Sequence, residues 1–312
     1  MGLLAYFNGQ FVPLAEVKIG IQTHALHYGT ACFEGIRGYW NPDAEQMYIF
    51  RLREHYERLA NSARTIRMKL PASVDELCDI TVELIARQGL KEDVYIRPLL
   101  YKSNEIIGVR LHGLDDAFVV YALPFGKYLD SEQGVRCRVS SWRRVEDGAI
   151  PARCKITGSY INSALAKSEA VEDGYDEAIL LNDDGHVAEG SGENIFLVAG
   201  GELVTPALSE NILPGITRNA LIRIALEEMG MRTVERKVDR TELYSADEVF
   251  LCGTAAEVTP VLEIDRRPIG NGQIGQTTRK LQKLFFEVVK GVNPKYAAWC
   301  RAVYPVTQRA TP

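Results

Sequence analysis

Two short stretches of the sequence could together bind an anion. Residues 214–218 read Pro-Gly-Ile-Thr-Arg and open a helical pattern, so the amides of Ile216 and Thr217 should point out of a helix N-terminus. Gly215 would permit an anion such as a phosphate to approach closely. Residues 253–256 end a buried-looking strand with small residues and one hydroxyl, that of Thr254, which suits a second set of donors. A threonine helix cap and an ordinary strand-ending turn remain the alternatives.

Lys155 and Glu189 are the two ionisable residues whose surroundings suggest reactivity. Lys155 lies in a mostly uncharged stretch, residues 153–158, just ahead of a helical pattern, and a desolvated lysine can act as a nucleophile. The Glu189 carboxylate could pair with the protonated ring nitrogen of a cofactor and strengthen the capacity of the ring to accept electrons. A solvated surface lysine and a hairpin glutamate are the alternatives that the residues alone leave open.

A metal site is not predicted. His24 and His27 are three residues apart and can share a helix face, but no carboxylate or thiol cluster completes a ligand shell. The six cysteines are scattered, with no C-x-x-C pair, which favours reduced thiols in a cytosol over a zinc site.

Composition excludes several classes of partner. The net charge is -5 with no block of like charges, so neither nucleic acid nor an acidic membrane is expected to bind. The N-terminal residues lack a basic head followed by an apolar run, and no stretch approaches the ~20 apolar residues of a membrane span. We therefore expect a cytoplasmic protein.

Periodicity predicts an α+β fold in two domains. A length of 312 residues is long for a single core. The polar segment that follows Pro124 and Gly126 is the best linker candidate, which predicts a domain at residues 1–125, a linker at 126–134 and a second domain at 135–312. No G-x-G-x-x-G follows a strand, so a dinucleotide-binding fold is not expected.

The individual elements follow from apolar spacing and turn signals. Asn8-Gly9 predicts a hairpin turn, and Ser73 with Glu76 predicts a capping box at the start of a helix. Predicted helices are residues 54–66, 73–87, 160–173, 217–229 and 276–290. Predicted strands are residues 47–50, 94–101, 117–123, 135–142, 177–181, 193–198, 233–238 and 248–252.

Several motifs, in order along most of the chain, resemble the branched-chain amino-acid aminotransferases, which are class IV pyridoxal-phosphate enzymes. The motifs are residues 24–39 (HALHYGTACFEGIRGY), 95–98 (YIRP), Lys155 with Tyr160, 189–196 (EGSGENIF), 213–218 and 252–261. The resemblance implies a fold-type IV enzyme with a smaller N-terminal α/β domain, a larger C-terminal pseudo-barrel domain, and pyridoxal 5′-phosphate bound between them. It also implies a homodimer or a higher homo-oligomer.

The resemblance also assigns roles to residues around the cofactor. Lys155 is the catalytic residue that would hold pyridoxal phosphate as a Schiff base, while Glu189 would bind the pyridine nitrogen and Tyr160 the phenolic oxygen. The residues implied for the phosphate are Arg58, Ile216, Thr217 and Thr254. The implied reaction moves an amino group between leucine, isoleucine or valine and 2-oxoglutarate.

For the substrate, the resemblance implies an apolar pocket beside an arginine. Tyr28, Phe33 and Tyr95 would contact the apolar side chain, and Arg97 the distal carboxylate of 2-oxoglutarate. Backbone amides of Ala255 and Ala256 would bind the α-carboxylate. Residues 102–110 are more charged than the corresponding family loop, which leaves open a second acidic substrate at Arg110.

Other functions on the same scaffold are alternatives. These are a D-amino-acid or (R)-amine transaminase and an aminodeoxychorismate lyase, and residues 95–98 and 253–256 argue against each of them. A non-catalytic pyridoxal-phosphate carrier or sensor would keep the fold without turnover, and Lys155, Glu189, Tyr160 and Arg97 together argue against it. A purely structural protein would need repeats or apolar patches that the sequence does not display.

Overall fold

The computed structural model describes residues 2–126 and 128–305, so residues 1, 127 and 306–312 of the predicted domains and linker lie outside the described residues. The chain divides into two compact units, which we call unit 1 (residues 1–126 and 287–312) and unit 2 (residues 127–286). This division differs from the sequence-based one at the C-terminal end. The segment after residue 286 belongs with unit 1 because its last strand, Cys300–Ala302, pairs with Gln46–Phe50.

The described residues form seventeen strands and seven α-helices. The strands are β1 (Leu4–Phe7), β2 (Gln10–Pro13), β3 (Ala31–Phe33), β4 (Ile36–Asn41), β5 (Gln46–Phe50), β6 (Val94–Lys102), β7 (Asp116–Pro124), β8 (Val135–Arg143), β9 (Glu177–Leu181), β10 (Val187–Gly190), β11 (Asn194–Ala199), β12 (Glu202–Pro206), β13 (Thr233–Arg236), β14 (Glu248–Gly253), β15 (Glu257–Ile264), β16 (Arg267–Pro268) and β17 (Cys300–Ala302). The helices are α1 (His24–Tyr28), α2 (Leu52–Thr65), α3 (Val74–Gln88), α4 (Tyr160–Glu172), α5 (Ile216–Met229), α6 (Glu242–Ser245) and α7 (Gln276–Val289).

Unit 1 is built on an eight-stranded antiparallel sheet. Its order is β17-β5-β4-β6-β7-β1-β2, with β3 pairing β6. The predicted Asn8-Gly9 turn joins β1 to β2, and both residues have the positive φ angles, 47° and 89°, that such a turn requires. The predicted capping box is also confirmed: the Glu76 amide donates to Ser73 Oγ, and the Ser73 amide donates to Glu76 Oε2.

Unit 2 is built on a nine-stranded mixed sheet. Its order is β10-β9-β8-β15-β14-β11-β12-β13, with β16 pairing β15. The pairs of β8 with β9, β8 with β15 and β12 with β13 are parallel. The Val187 amide of β10 donates to the Val238 carbonyl, just after β13, at 2.8 Å, so the two ends of the strand order meet. The sheet therefore curves back on itself around an apolar core, as expected for a pseudo-barrel.

The predicted α+β class is confirmed, but several internal strands were not predicted, namely β4, β12 and β15. Strand β15 pairs with both β14 and β8, yet it contains Pro260, a residue that sequence patterns place at edges or bulges. No described helix combines the length and the apolar character needed to cross a membrane.

Candidate active site

Lys155 and Tyr160 are brought together in unit 2. A single 3-10 turn, Thr157–Ser159, separates Lys155 from the first residue of α4, Tyr160. This turn directs both side chains to the same place, and Lys155 Nζ donates to Tyr160 Oη at 2.6 Å. Both side chains are half-buried, so the amine is partly withdrawn from water and keeps an accessible face.

Glu189, on β10, is a buried carboxylate with donors on both oxygens. Arg144 Nη2 lies 3.0 Å from Glu189 Oε1. Asn194 Nδ2 and the Leu213 amide donate to Glu189 Oε2 at 3.0 Å and 3.1 Å. Hydrogen bonds to the charged form, one of them from a cation, favour an ionised carboxylate. Neither Arg144 nor Asn194 was predicted from the sequence, and only the asparagine, within the EGSGEN stretch, carried a local signal.

The start of α5 packs against the residues that orient Glu189. Gly215 is the N-cap of α5, and a Cβ added to it would lie 1.9 Å from Asn194 Oδ1. In this structure the absence of a side chain at Gly215 therefore leaves room for the side chain of Asn194. Ile216 and Thr217 are buried and begin the helix, where backbone amides precede the helical hydrogen-bond ladder. This end of α5 has the donors and the partial positive charge that an anion requires.

Residues 254–256 form the loop of the β14–β15 hairpin. Gly253 pairs with Glu257 across the hairpin, and Cys252 pairs with Asn194 on the neighbouring strand β11. A Cβ on Gly253 would lie 3.6 Å from the Gly192 carbonyl, so the hairpin lies beside the turn that separates Glu189 from Asn194. The loop thereby places Thr254, Ala255 and Ala256 near the Glu189 turn.

Glu193 is a second carboxyl group in that turn, and it differs from Glu189. It is 4% exposed, and the amide of Gly192 donates to its Oε2 at 3.0 Å. Among the described residues no cation forms an ion pair with Glu193. Burial, and then the negative charge of Glu177, raise the pKa of Glu193 from 4.5 to about 8. Glu193 is therefore a neutral acid over most of the physiological pH range.

In unit 1, three of the residues predicted to bind substrate form one cluster. The guanidinium carbon of Arg97 lies 4.5 Å from the ring centroid of Phe33 and 5.1 Å from that of Tyr95. Arg97 Nη2 donates to Tyr95 Oη at 2.8 Å. A Cβ on Gly35 would lie 2.2 Å from that hydroxyl, so a glycine is needed there. Among the described residues, Arg97 has no carboxylate partner, which suits a cation that recognises an anionic ligand.

Tyr28, also predicted to bind substrate, lies at the base of the charged loop. The Gly108 amide donates to Tyr28 Oη at 3.1 Å. His24 is fully buried, and its ring nitrogens lie 2.7 Å from Thr30 Oγ1 and 2.6 Å from the Gly108 carbonyl. His24 and Tyr28, both on α1, therefore hold the loop by its backbone.

Arg58, predicted to bind phosphate, forms a buried ion pair in unit 1. Arg58 Nε and Nη2 donate to the two oxygens of Glu34 at 2.8 Å and 2.7 Å, and His55 Nδ1 lies 2.7 Å from Glu34 Oε2. Burial alone would raise the pKa of Glu34, but the charge and hydrogen bonds of Arg58, with those of His55, outweigh it and lower the pKa to about 2. Glu34 thus fixes the guanidinium plane of Arg58.

A group of side chains that was not predicted from the sequence lies in unit 2. Ligand-type atoms of Asp184, His186 and Glu210 all lie within 4.8 Å of one another. Lys237 Nζ lies 2.7 Å from Asp184 Oδ2 and already supplies a positive charge there. The arrangement is accounted for by this ion pair.

Comparisons with known proteins agree on one group. The family model described as amino-transferase class IV matches residues 31–264. A probable branched-chain-amino-acid aminotransferase of Aquifex aeolicus is 52% identical over 300 residues, 96% of each chain. The branched-chain-amino-acid aminotransferase of Escherichia coli K12 is 40% identical, covering 94% of this chain and 95% of its own.

Solved structures are similar over nearly the whole chain. The branched-chain aminotransferase of Thermoproteus uzoniensis with norvaline has a TM-score of 0.93 and 45% identity, covering 97% of this chain and 100% of its own. The branched-chain amino acid aminotransferase of Thermobaculum terrenum in its PLP-form has a TM-score of 0.93 and 40% identity, covering 97% of this chain and 98% of its own.

Proposed function

The chain belongs to the class IV aminotransferase family, and we propose that it transfers the amino group between leucine, isoleucine or valine and 2-oxoglutarate. The chain is an enzyme of this class, and its branched-chain relatives support the choice of amino donor. The observation that carries the proposal is the pairing of Lys155 with Tyr160 in the same unit as the Glu189 carboxylate, which pairs with Arg144.

Pyridoxal 5′-phosphate is the cofactor of this class, and when bound it supplies an electron sink for the electrons released at the substrate Cα. The residues of unit 2 fit this group chemically. They offer a hydroxyl-bonded lysine for the aldehyde, an ionised carboxylate for a protonated ring nitrogen, and a buried helix N-terminus for the phosphate.

We propose that Lys155 Nζ would hold the cofactor as a Schiff base and, once released by substrate, would move the proton that leaves the substrate Cα. The hydroxyl of Tyr160 orients the amine, because it lies within hydrogen-bond distance of Nζ. When the cofactor is bound, the same hydroxyl would donate a hydrogen bond to the phenolic oxygen. A lysine released by substrate can act first as a general base and then as a general acid at the same position. The short turn between the two residues keeps that position fixed.

The remaining cofactor contacts anchor groups that do not react. Glu189 would keep a proton on the ring nitrogen of the bound cofactor, because a carboxylate stabilises a pyridinium. The amides of Ile216 and Thr217 and the hydroxyl of Thr254 bind the phosphate, together with Arg58 as the family resemblance implies. Binding energy at the phosphate aligns the reacting groups without itself changing during the reaction.

The unit 1 cluster is proposed to distinguish substrates. Phe33 and Tyr95 supply aromatic surface for an apolar side chain, with Tyr28 at the base of the neighbouring loop. Arg97 supplies a cation for the distal carboxylate of 2-oxoglutarate. Ala255 and Ala256 would bind the α-carboxylate through backbone amides. One cluster would thereby accept both an apolar and an acidic substrate.

We also propose a cytoplasmic homodimer. Two adjacent segments of unit 1, connected by a bridge between Thr23 and Glu105, expose aliphatic side chains. Those more than half exposed are Ile19, Ile21, Leu26, Ile107 and Val109. Apolar side chains grouped in this way on a surface favour association, and isologous dimers are the commonest oligomers.

The reaction is tested by assaying amino transfer to 2-oxoglutarate from three donors. We expect activity with L-leucine, and activity only with D-alanine or (R)-phenylethylamine would instead indicate another enzyme of the same scaffold. Lys155→Ala should abolish turnover, whereas Lys280→Ala, at an exposed lysine, should not change it. Borohydride reduction followed by peptide mapping should find the cofactor on Lys155. If cofactor binds but L-leucine leaves its absorption unchanged, the protein is a carrier or sensor.

A further inference from the structure

We propose that Arg144 is a positioning residue that keeps the Glu189 carboxylate ionised and oriented, and that it thereby sets the protonation of the cofactor ring nitrogen. This inference rests on the proposed function of Glu189. It adds a residue that the sequence motifs do not include, because Arg144 follows strand β8, far along the chain from the EGSGEN stretch.

The guanidinium of Arg144 is held at several points. The Arg144 amide donates to the Leu181 carbonyl at 2.8 Å, and Arg144 Nε donates to the Asn211 carbonyl at 3.0 Å. Nη2 is then 3.0 Å from Glu189 Oε1. The side chains of Arg144 and Glu189 are 10% and 9% exposed, so water screens the pair poorly. The cation is therefore fixed in place before any ligand arrives.

Two neutral donors contact the second carboxylate oxygen. Asn194 Nδ2 donates to Glu189 Oε2 and also to the Leu213 carbonyl, each at 3.0 Å, and the Leu213 amide donates to the same Oε2 at 3.1 Å. Asn194 and Leu213 therefore fix the carboxylate plane. Of these described donors, only Arg144 contributes a full positive charge, and charge-assisted bonds are roughly twice as strong as neutral ones.

A second buried acid lies next to Glu189. Glu193 lies in the adjacent turn, and the charge of Glu189 contributes to the raised pKa of Glu193. The thiol of Cys252, on β14, also has a raised pKa, caused by burial first and partly by these glutamates. Without Arg144, a buried Glu189 would keep a proton and donate only a hydrogen bond to a neutral ring nitrogen, so the ring would carry no positive charge and would accept electrons less well.

A double-mutant cycle tests the inference. Arg144→Gln should lower kcat about tenfold or more, and Arg144→Lys should restore part of the loss. Glu189→Gln should also lower kcat, but adding Arg144→Gln to it should change kcat less than about twofold, because Arg144 acts through Glu189. Arg143→Gln removes the same charge at the adjacent exposed position and should leave kcat unchanged.

A second readout uses the protein without cofactor. In infrared difference spectra at neutral pH, Arg144→Gln should show a protonated-carboxyl band that wild type lacks and that disappears in the Arg144→Gln/Glu189→Gln variant. Absence of that band, or fully additive losses of kcat, would overturn the inference. If Arg144→Gln does not fold, the double variant still tests the inference, because two amides replace the ion pair in it. Its kcat must then match that of Glu189→Gln. If wild type does not transaminate, the proposed function fails, whereas the infrared comparison still tests the coupling.

Discussion

Glu34 in unit 1 and Glu193 in unit 2 are buried to nearly the same depth, 0% and 4% exposed, yet they carry different charges at neutral pH. Burial raises the pKa of both carboxyl groups. Beside Glu34, the Arg58 guanidinium and the His55 ring reverse that effect and lower the pKa to about 2. Beside Glu193 the carboxylates of Glu177 and Glu189 add to it, and the Gly192 amide and the charge of Lys167 offset only part of the increase.

Neighbouring charges, more than the depth of burial, therefore decide whether a buried acid of this protein is ionised. They also distinguish the two regions. The Glu34 cluster is a satisfied ion pair, as expected of a group that holds Arg58 in place. The Glu189 turn instead holds a second buried carboxyl group, Glu193, whose pKa is raised, and a perturbed acid in such a position is typical of functional sites.

The largest expected loss of stability comes from breaking the buried ion pair between Arg58 and Glu34. Arg58→Ala leaves the buried Glu34 carboxylate beside His55 but without its guanidinium, and removing one member of a buried pair costs roughly 3–5 kcal/mol. Urea denaturation of the cofactor-free protein would measure the loss. Arg53→Ala on the same helix is the matched control, because that side chain is 53% exposed and its pairs are screened by water. Equal losses in the two variants would contradict the comparison.

The pH dependence of this pair has a defined sign. Because the folded pKa of Glu34, about 2, lies below its ordinary value of 4.5, the native state binds fewer protons than the unfolded chain between these values. The stabilisation is therefore present above about pH 4.5 and lost as the pH falls toward 2. Glu34→Gln should remove this acid-dependent part of the unfolding free energy.

Glu193 should give the opposite pH dependence. Its folded pKa, about 8, lies above 4.5, so the unfolded chain releases a proton that the native state retains, and stability falls as the pH rises between these values. Glu193→Gln keeps a neutral side chain of the same shape. The variant should match wild type near pH 5 and exceed it by a few kcal/mol of unfolding free energy at about pH 9.

Denaturation at a series of pH values would check the Glu193 prediction. Glu172→Gln, at an exposed glutamate of α4, is the control and should follow wild type throughout. Parallel stability curves for wild type and Glu193→Gln would mean that Glu193 is ionised in the native state.

A smaller loss of stability is expected from a substitution at Gly215, which lies against Asn194, a hydrogen-bond donor to Glu189. Gly215→Ala places a Cβ against Asn194 Oδ1, so the amide must move and weaken its hydrogen bonds to Glu189 and Leu213. The backbone φ of -67° suits alanine, so the cost comes from the contact alone, about 1–3 kcal/mol. Gly148→Ala, where an added Cβ meets nothing within 4 Å, is the control. Unchanged stability in Gly215→Ala would show that Asn194 can move without loss.

The sequence predicted the parts of the fold that local chemistry determines. The Asn8-Gly9 turn needs only positive φ angles, and the capping box needs only Ser73 and Glu76, so each motif carries its own signal. Strand β15 was missed because Pro260 contradicts the usual strand pattern. The grouping of the C-terminal segment with unit 1 was not predicted, because the pairing of β17 with β5 depends on residues far apart in the sequence.

The same distinction applies to the candidate site. Lys155 and Tyr160 were both named by the family resemblance, and the structure joins them by a hydrogen bond. Arg144 and the Glu34–Arg58 pair could not be found, because an ordinary arginine acquires its role only when a distant carboxylate folds against it. Local patterns identify reacting groups, whereas tertiary packing decides which charges tune them.

The smallest effect is expected at an exposed carboxylate with cationic neighbours of its own. Lys237 and His186 lower the pKa of Asp184, in the same direction as Arg58 lowers that of Glu34. Asp184 is 45% exposed, so water already solvates its charge and screens the pair. Asp184→Asn keeps an acceptor for the His186 amide and should change the unfolding free energy by less than about 1 kcal/mol. Added salt should remove even that difference, whereas it should leave most of the Arg58→Ala loss. A loss at Asp184 as large as that at Arg58 would mean that a cationic neighbour stabilises a carboxylate equally inside and outside the core, and the comparison would fail.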